Sequence, residues 1–131
     1  MSKLSSPLHY VKRLLPPGDS EAHWTPSTDV YVTETGLVIK VELAGMRKED
    51  LQVVMDGSKV KISGHRPDGC RAPKCKFLLM EINYGAFLSV IELPDGYDLQ
   101  NAKAAYQNGF LRIDVPLQKD FDRVSLGVDG E

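Results

Sequence analysis

The chain is short of the residues that chemistry needs. Its 131 residues include 2 cysteines, 3 histidines and 1 tryptophan. Two cysteines are a poor framework for a disulfide-stapled secreted domain. The histidines (His9, His23, His65) are scattered, and two of them precede the body of the sequence. No nucleophile elbow, zinc-protease helix motif, phosphate-binding loop or dinucleotide fingerprint occurs, so neither an enzyme nor a cofactor is expected. Charge of one sign is also lacking. Sixteen Lys and Arg stand against 18 Asp and Glu, interspersed, for a net charge of −2. This excludes a basic footprint for nucleic acid or an anionic membrane. No apolar run approaches the roughly 20 residues of a membrane span. The N-terminal "MSKLSSPLHYVKRLL" has no apolar signal-peptide core, so a cytoplasmic location is expected.

What is present is strand pattern. In "AAYQNGFLRIDVP" (104–116), Asn108-Gly109 is a tight-turn dipeptide, because both residues tolerate positive φ. After it Leu111, Ile113 and Val115 alternate with Arg112 and Asp114, the period of a half-buried strand that Pro116 ends. Ala104 and Tyr106 form the weaker arm of this hairpin. Further strands are expected at 29–34, at 37–43 with Leu37, Ile39, Val41 and Leu43 on one face, and at 51–55. A turn at Asp56-Gly57 then leads to 59–63, followed by 77–82 and 86–93. Residues 64–76, "GHRPDGCRAPKCK", read as a polar loop. About eight strands with regular turn signals and no convincing internal helix predict an all-β antiparallel sandwich of immunoglobulin-like type. Before it, Leu4, Leu8, Val11 and Leu15 recur at helical spacing, which predicts a short amphipathic helix broken by Pro16-Pro17-Gly18. The expected division is an N-terminal arm at 1–23, one domain at 24–117 and a flexible polar tail at 118–131.

These residues resemble the small heat-shock protein family of bacterial type. Ala104, Asn108, Gly109 and Leu111 fit the A-x-x-x-N-G-x-L signature of its α-crystallin domain. "WTPSTDVYVTETGLVIKVELAGMRKEDLQV" (24–53), "KISG" (61–64), "EINYGAF" (81–87) and "ELPDGYD" (92–98) match the family in order and spacing, so the resemblance runs from about Trp24 to Leu117. Two departures stand out. Ile82 occupies the place where microbial members usually carry Arg, and the tail has "VSL" or "LGV" instead of a clean I-x-I.

The resemblance implies an ATP-independent holdase that binds unfolding clients and assembles with itself, through dimers, into larger homo-oligomers. The runner-up is an interaction module, like the related sandwich of co-chaperones, with one dedicated partner. By resemblance, Phe77, Leu78, Leu79, Met80, Glu81 and Ile82 form a strand that pairs with residues 29–34 of a partner subunit. Ala104 borders a groove for neighbouring tails; Val54, Leu88 and Val90 are assigned to the same groove. Leu88 and Val90 are expected to face outward. Val124 and Leu126 (or Leu126 and Val128) are the expected tail anchor, since residues two apart share a side only in an extended chain. Leu4, Leu8, Val11, Leu14 and Leu15 form an apolar client-binding arm. Cys70 and Cys75 remain open between a redox-sensitive pair, inert thiols and, with His65, an incomplete metal set, because a structural zinc site wants four ligands. Arg71, Lys74 and Lys76 flank the thiols and favour the thiolate, and with it the redox reading.

Overall fold

Alternation decides the architecture. In 36–42 the odd-numbered apolar residues Leu37, Ile39 and Val41 are buried, while Lys40 and Glu42 are exposed. In 110–116 Leu111, Ile113 and Val115 repeat the pattern, so the two segments pair edge to edge in one sheet and share one buried side. The computed structural model describes residues 11–15, 22–67, 70, 75–119 and 127–130. Within them the strands are β1 (Lys12–Leu14), β2 (Thr28–Val32), β3 (Gly36–Glu42), β4 (Leu51–Asp56), β5 (Lys59–Arg66), β6 (Gly85–Glu92), β7 (Lys103–Gln107) and β8 (Phe110–Pro116). Sheet A has the order β1-β6-β5-β4 and sheet B the order β2-β3-β8-β7, and every strand pairing is antiparallel. Short 3-10 turns at Lys48–Asp50 and Leu99–Asn101 are the helical elements among the described residues. The chain is therefore an all-β sandwich, as its pattern predicts.

The inner faces of both sheets meet in one core built around Leu37, Ile39, Val41, Val60, Ile62, Phe87, Ile91, Leu111 and Ile113. Glycines make two close approaches possible. A Cβ on Gly64 would stand 2.5 Å from the Asp50 carbonyl oxygen and 2.8 Å from the Phe87 ring, so the tip of the ring abuts bare backbone. At the β7–β8 turn Asn108 and Gly109 have φ of 53° and 81°, the doubly left-handed turn that matches the twist of its strands. The Gly109 carbonyl then accepts a 2.7 Å bond from the Leu43 N–H.

Three expectations change. The predicted arm helix is not formed at its described end, because Lys12–Leu14 is a strand paired with Val90–Glu92. An isolated helix of this length is marginal in water, whereas the β6 edge offers a row of unsatisfied backbone groups. Leu4 and Leu8 lie outside the described residues. The predicted strand 77–82 is not a strand within this chain; the segment is irregular and exposed. A strand needs a ladder partner, and this segment has none among the described residues. Finally, β5 continues through Arg66 beyond the expected 59–63, since Gly64 to Arg66 stay paired with Gly85 to Phe87.

Candidate functional site: a groove between sheet edges and an exposed loop

Two features leave apolar surface open. The first is a groove of about 400 Å³ where β4, the edge of sheet A, faces β7, the edge of sheet B. Val53 and Met55 line it from β4, Leu99 and Ala102 from the turn before β7, and Ala104 and Ile113 from sheet B. Ala104 stands directly opposite Ile113 in the ladder, so both side chains face into the sandwich mouth. Ala104 brings only a methyl group to the groove beside the fully buried Ile113. Two positions along the same face, the Tyr106 hydroxyl donates to the Leu43 carbonyl and accepts from the Met46 N–H at 3.3 Å, which pins β7 to the 43–46 turn.

Of the four residues assigned to the groove, the structure brings only Ala104 there. Val54 is 41% exposed on the opposite face of β4. The reason is parity. Gln52, Val54 and Asp56 share one side of the strand, Leu51, Val53 and Met55 the other, and a one-residue shift in register exchanges the faces. The polar neighbours Gln52 and Asp56 are the signal that marks Val54 as outward. Leu88 and Val90 are on β6, separated from β4 by the whole of β5. Nor is Val90 open to solvent. It is 7% exposed, paired with Leu14 of β1.

The second feature is the segment that leads into β6. Phe77, Leu78, Leu79, Met80 and Ile82 are all exposed, Leu78 at 93% and Leu79 at 76%. Both ends of this segment are tied down. On the return side the Arg66 Nε–H donates to the Asn83 carbonyl at 2.8 Å and a guanidinium N–H reaches the Ala44 carbonyl at 3.3 Å. The same guanidinium stacks 4.4 Å above the Trp24 ring. Arg66 escaped sequence reasoning because a lone Arg at the mouth of a polar loop carries no periodic signal. On the outgoing side Cys70 and Cys75 form a disulfide with Cα atoms 6.4 Å apart, within the span such a bond requires.

Of the arm residues, Val11 packs on the core, Leu14 is half-buried and Leu15 is exposed. The tail anchors Val124 and Leu126 lie outside the described residues, and Val128 is 93% exposed. Electrostatics add little. Asp50, by its hydrogen bond and its charge, raises the Arg47 guanidinium above its ordinary value, and Asp114 does the same for Arg112, so both stay cationic. Among the described residues no cluster of three or more His, Cys, Asp or Glu is arranged to hold a metal, and no helix is long and apolar enough to cross a membrane.

Comparison with known proteins places these features in context. Residues 29–125 match the Hsp20/alpha crystallin family. The spore protein SP21 of Stigmatella aurantiaca is 30% identical over 93 residues, which cover 71% of this chain and 55% of that protein. The crystal structure of hspA from Xanthomonas axonopodis superposes with a TM-score of 0.68 at 30% identity, covering 74% of this chain and 97% of that one. A small heat-shock protein from Xylella fastidiosa, described as having a distinct high order structure, superposes with a TM-score of 0.70 at 27% identity, covering 83% of this chain and all of that one.

Proposed function

The chain belongs to the Hsp20/alpha crystallin family of small heat-shock proteins, and from that premise we propose that it is an ATP-independent holdase of the cytoplasm. A chaperone role is the family's; the mode of action is our reading. A holdase must present apolar surface to unfolding chains and yet keep that surface from aggregating on itself, and reversible self-association serves both needs. The observation that carries the reading is the exposed run Phe77–Ile82, five large apolar side chains in the open between the Cys70–Cys75 bond and the Asn83 carbonyl that Arg66 holds. A monomer rarely leaves such a patch open.

In the proposed dimer this run adds a strand to the outer edge of β2 in a partner, the edge of sheet B that no strand among the described residues covers. Dimers then join through tails. Val124 and Leu126, or Leu126 and Val128, enter the groove beside Ala104 as an added strand. Each buried aliphatic contributes roughly 1.5–3 kcal/mol before the tail is ordered, so one contact is weak and several acting together are needed. Weak contacts suit the task, because tails release and uncover the groove. Leu4, Leu8 and Leu15 complete the apolar surface offered to clients, with the arm, domain and tail dividing at residues 23 and 117.

The test is aggregation. The protein is expected to suppress light scattering by several unrelated heated proteins at near-stoichiometric ratio without nucleotide. Protection of one protein alone would point to a dedicated binding module, and protection of none would end the holdase reading.

A further inference from the structure

We propose that Cys70 and Cys75 are a thiol–disulfide modification site that sets how firmly subunits are held together. The inference rests on the reading of 77–82 as the dimer strand and adds a regulator to it. The placement carries it. Arg66 is the last residue of β5, Cys70 follows four residues later, and Cys75 comes two residues before Phe77. On the far side Asn83, adjacent to Ile82, is pinned by Arg66. The run 77–82 is thus suspended between two anchors, one a hydrogen bond under a stacked guanidinium, the other the Cys70–Cys75 bond. Only the second can be opened by a reagent without unfolding the sandwich.

Opening it changes the reach of the segment. With the bond closed, the step from Cys70 to Cys75 spans 6.4 Å. With it open, five residues of chain extend to about 17 Å, so the N-terminal end of the run gains about 11 Å of travel. A strand with that freedom loses more conformational entropy when it docks on a partner. Oxidised protein therefore holds its dimer more tightly than reduced protein.

The chemistry is thiol–disulfide exchange with a dithiol. A thiolate of the reductant attacks one sulfur, the Cys70–Cys75 bond breaks and a mixed disulfide forms. The second reductant thiol displaces it. Two electrons and two protons end on Cys70 and Cys75 as thiols, and the reductant leaves as its own disulfide. Cys75 is exposed and Cys70 is half-buried, so the bond is open to such attack.

Subunit exchange between two fluorescently labelled pools of full-length protein tests this, after treatment with oxidised glutathione or with dithiothreitol. Thiol titration is expected to show two thiols only after reduction. Reduction is expected to speed exchange about two- to fivefold, the scale of a few residues released from constraint. Cys70→Ser with Cys75→Ser should exchange at the reduced rate under both treatments. Equal rates for oxidised and reduced wild type, slower exchange on reduction, or two free thiols after oxidation would each overturn the proposal. Leu78→Asp with Leu79→Asp separates this from the reading beneath it. That variant changes only exposed side chains and should be a folded monomer. If it remains a dimer, the dimer strand lies elsewhere.

Discussion

The outer sides of β6 and β4, which flank β5 in sheet A, carry similar side chains and meet opposite fates. The edge at β6 is closed along its length by the chain's own preceding segments. The His23 N–H bonds the Ala86 carbonyl, the Leu88 N–H reaches the Trp24 carbonyl, and β1 takes over at Val90 to Glu92. The edge at β4 has Val53 and Met55 beside an open groove. Hydrophobicity does not separate the two, since Leu88 and Val90 are no less apolar than Val53 and Met55. What separates them is reach. The segment before β2 passes beside β6 and lies on it, whereas β4 faces β7 across the groove. One edge is therefore a finished part of the fold, and the other borders a groove that the described residues leave open. Breaking the first should cost stability; filling the second should cost assembly.

The largest loss of folding stability is expected at the closed edge, from Trp24→Ala. The indole packs 5.1 Å from the Phe87 ring, donates its N–H to the Gly85 carbonyl at 3.1 Å and carries Arg66 on its face. Its removal uncovers Phe87 and leaves Arg66 without its stacking partner. Because Trp24 is only half-buried, the cost should fall below that of a fully buried ring, at about 2–4 kcal/mol in denaturant unfolding. A loss under about 1 kcal/mol would mean that the strap is ornamental and the edge is closed by β1 alone.

Ala104→Leu should show the reverse signature at the open edge. The added side chain points into the groove, where nothing of the described chain has to move, so folding stability should change by no more than about 0.5 kcal/mol. The mass by light scattering should fall to that of a dimer, because a Leu there occupies the place proposed for the tail. Val54→Ala, on the outer face of the groove's own β4 wall, should leave the mass unchanged. If both variants keep the wild-type mass, the groove is not where subunits meet.

That contrast also marks what could be read from residues alone. The central strands of sheet B are legible because period-2 alternation is strict in 111–115 and holds in 37–43 except at the buried Val38, and the Asn108-Gly109 turn because two consecutive left-handed positions admit few other residues. Ala104 was legible through the spaced motif that contains it. The groove's other wall was misassigned by one residue, since in "LQVVM" Val53 and Val54 are chemically identical and only Gln52 and Asp56 tell them apart. The arm was misread for a different reason. Its apolar spacing is helical, but its conformation is set by an edge some 76 residues away, as the 2.9 Å bond from Arg13 to the buried Ser89 hydroxyl illustrates. Local pattern cannot report a partner that distant. The strand expected at 77–82 is absent within one chain for the same reason, and a partner subunit is where its ladder partner is proposed to lie.

The smallest effect is expected on the outer face of sheet B, and it sets the boundary of the comparison. Arg112 bonds Asp114 through a guanidinium N–H at 3.0 Å, with both side chains about half exposed. It also stands directly opposite Lys40 in the ladder, a like-charge pair that works against it. Arg112→Gln removes an attraction and a repulsion together. Asp114 is left in water, where a carboxylate needs no partner, and Lys40 keeps its place 4.4 Å above the Phe110 ring. The denaturation midpoint, the assembled mass and the suppression of client aggregation should all match wild type, at low salt as at high. A change in mass would show that this sheet takes part in assembly through its face as well as its edges, and the division between closed and open edges would then be too narrow a description of how the sandwich meets its neighbours.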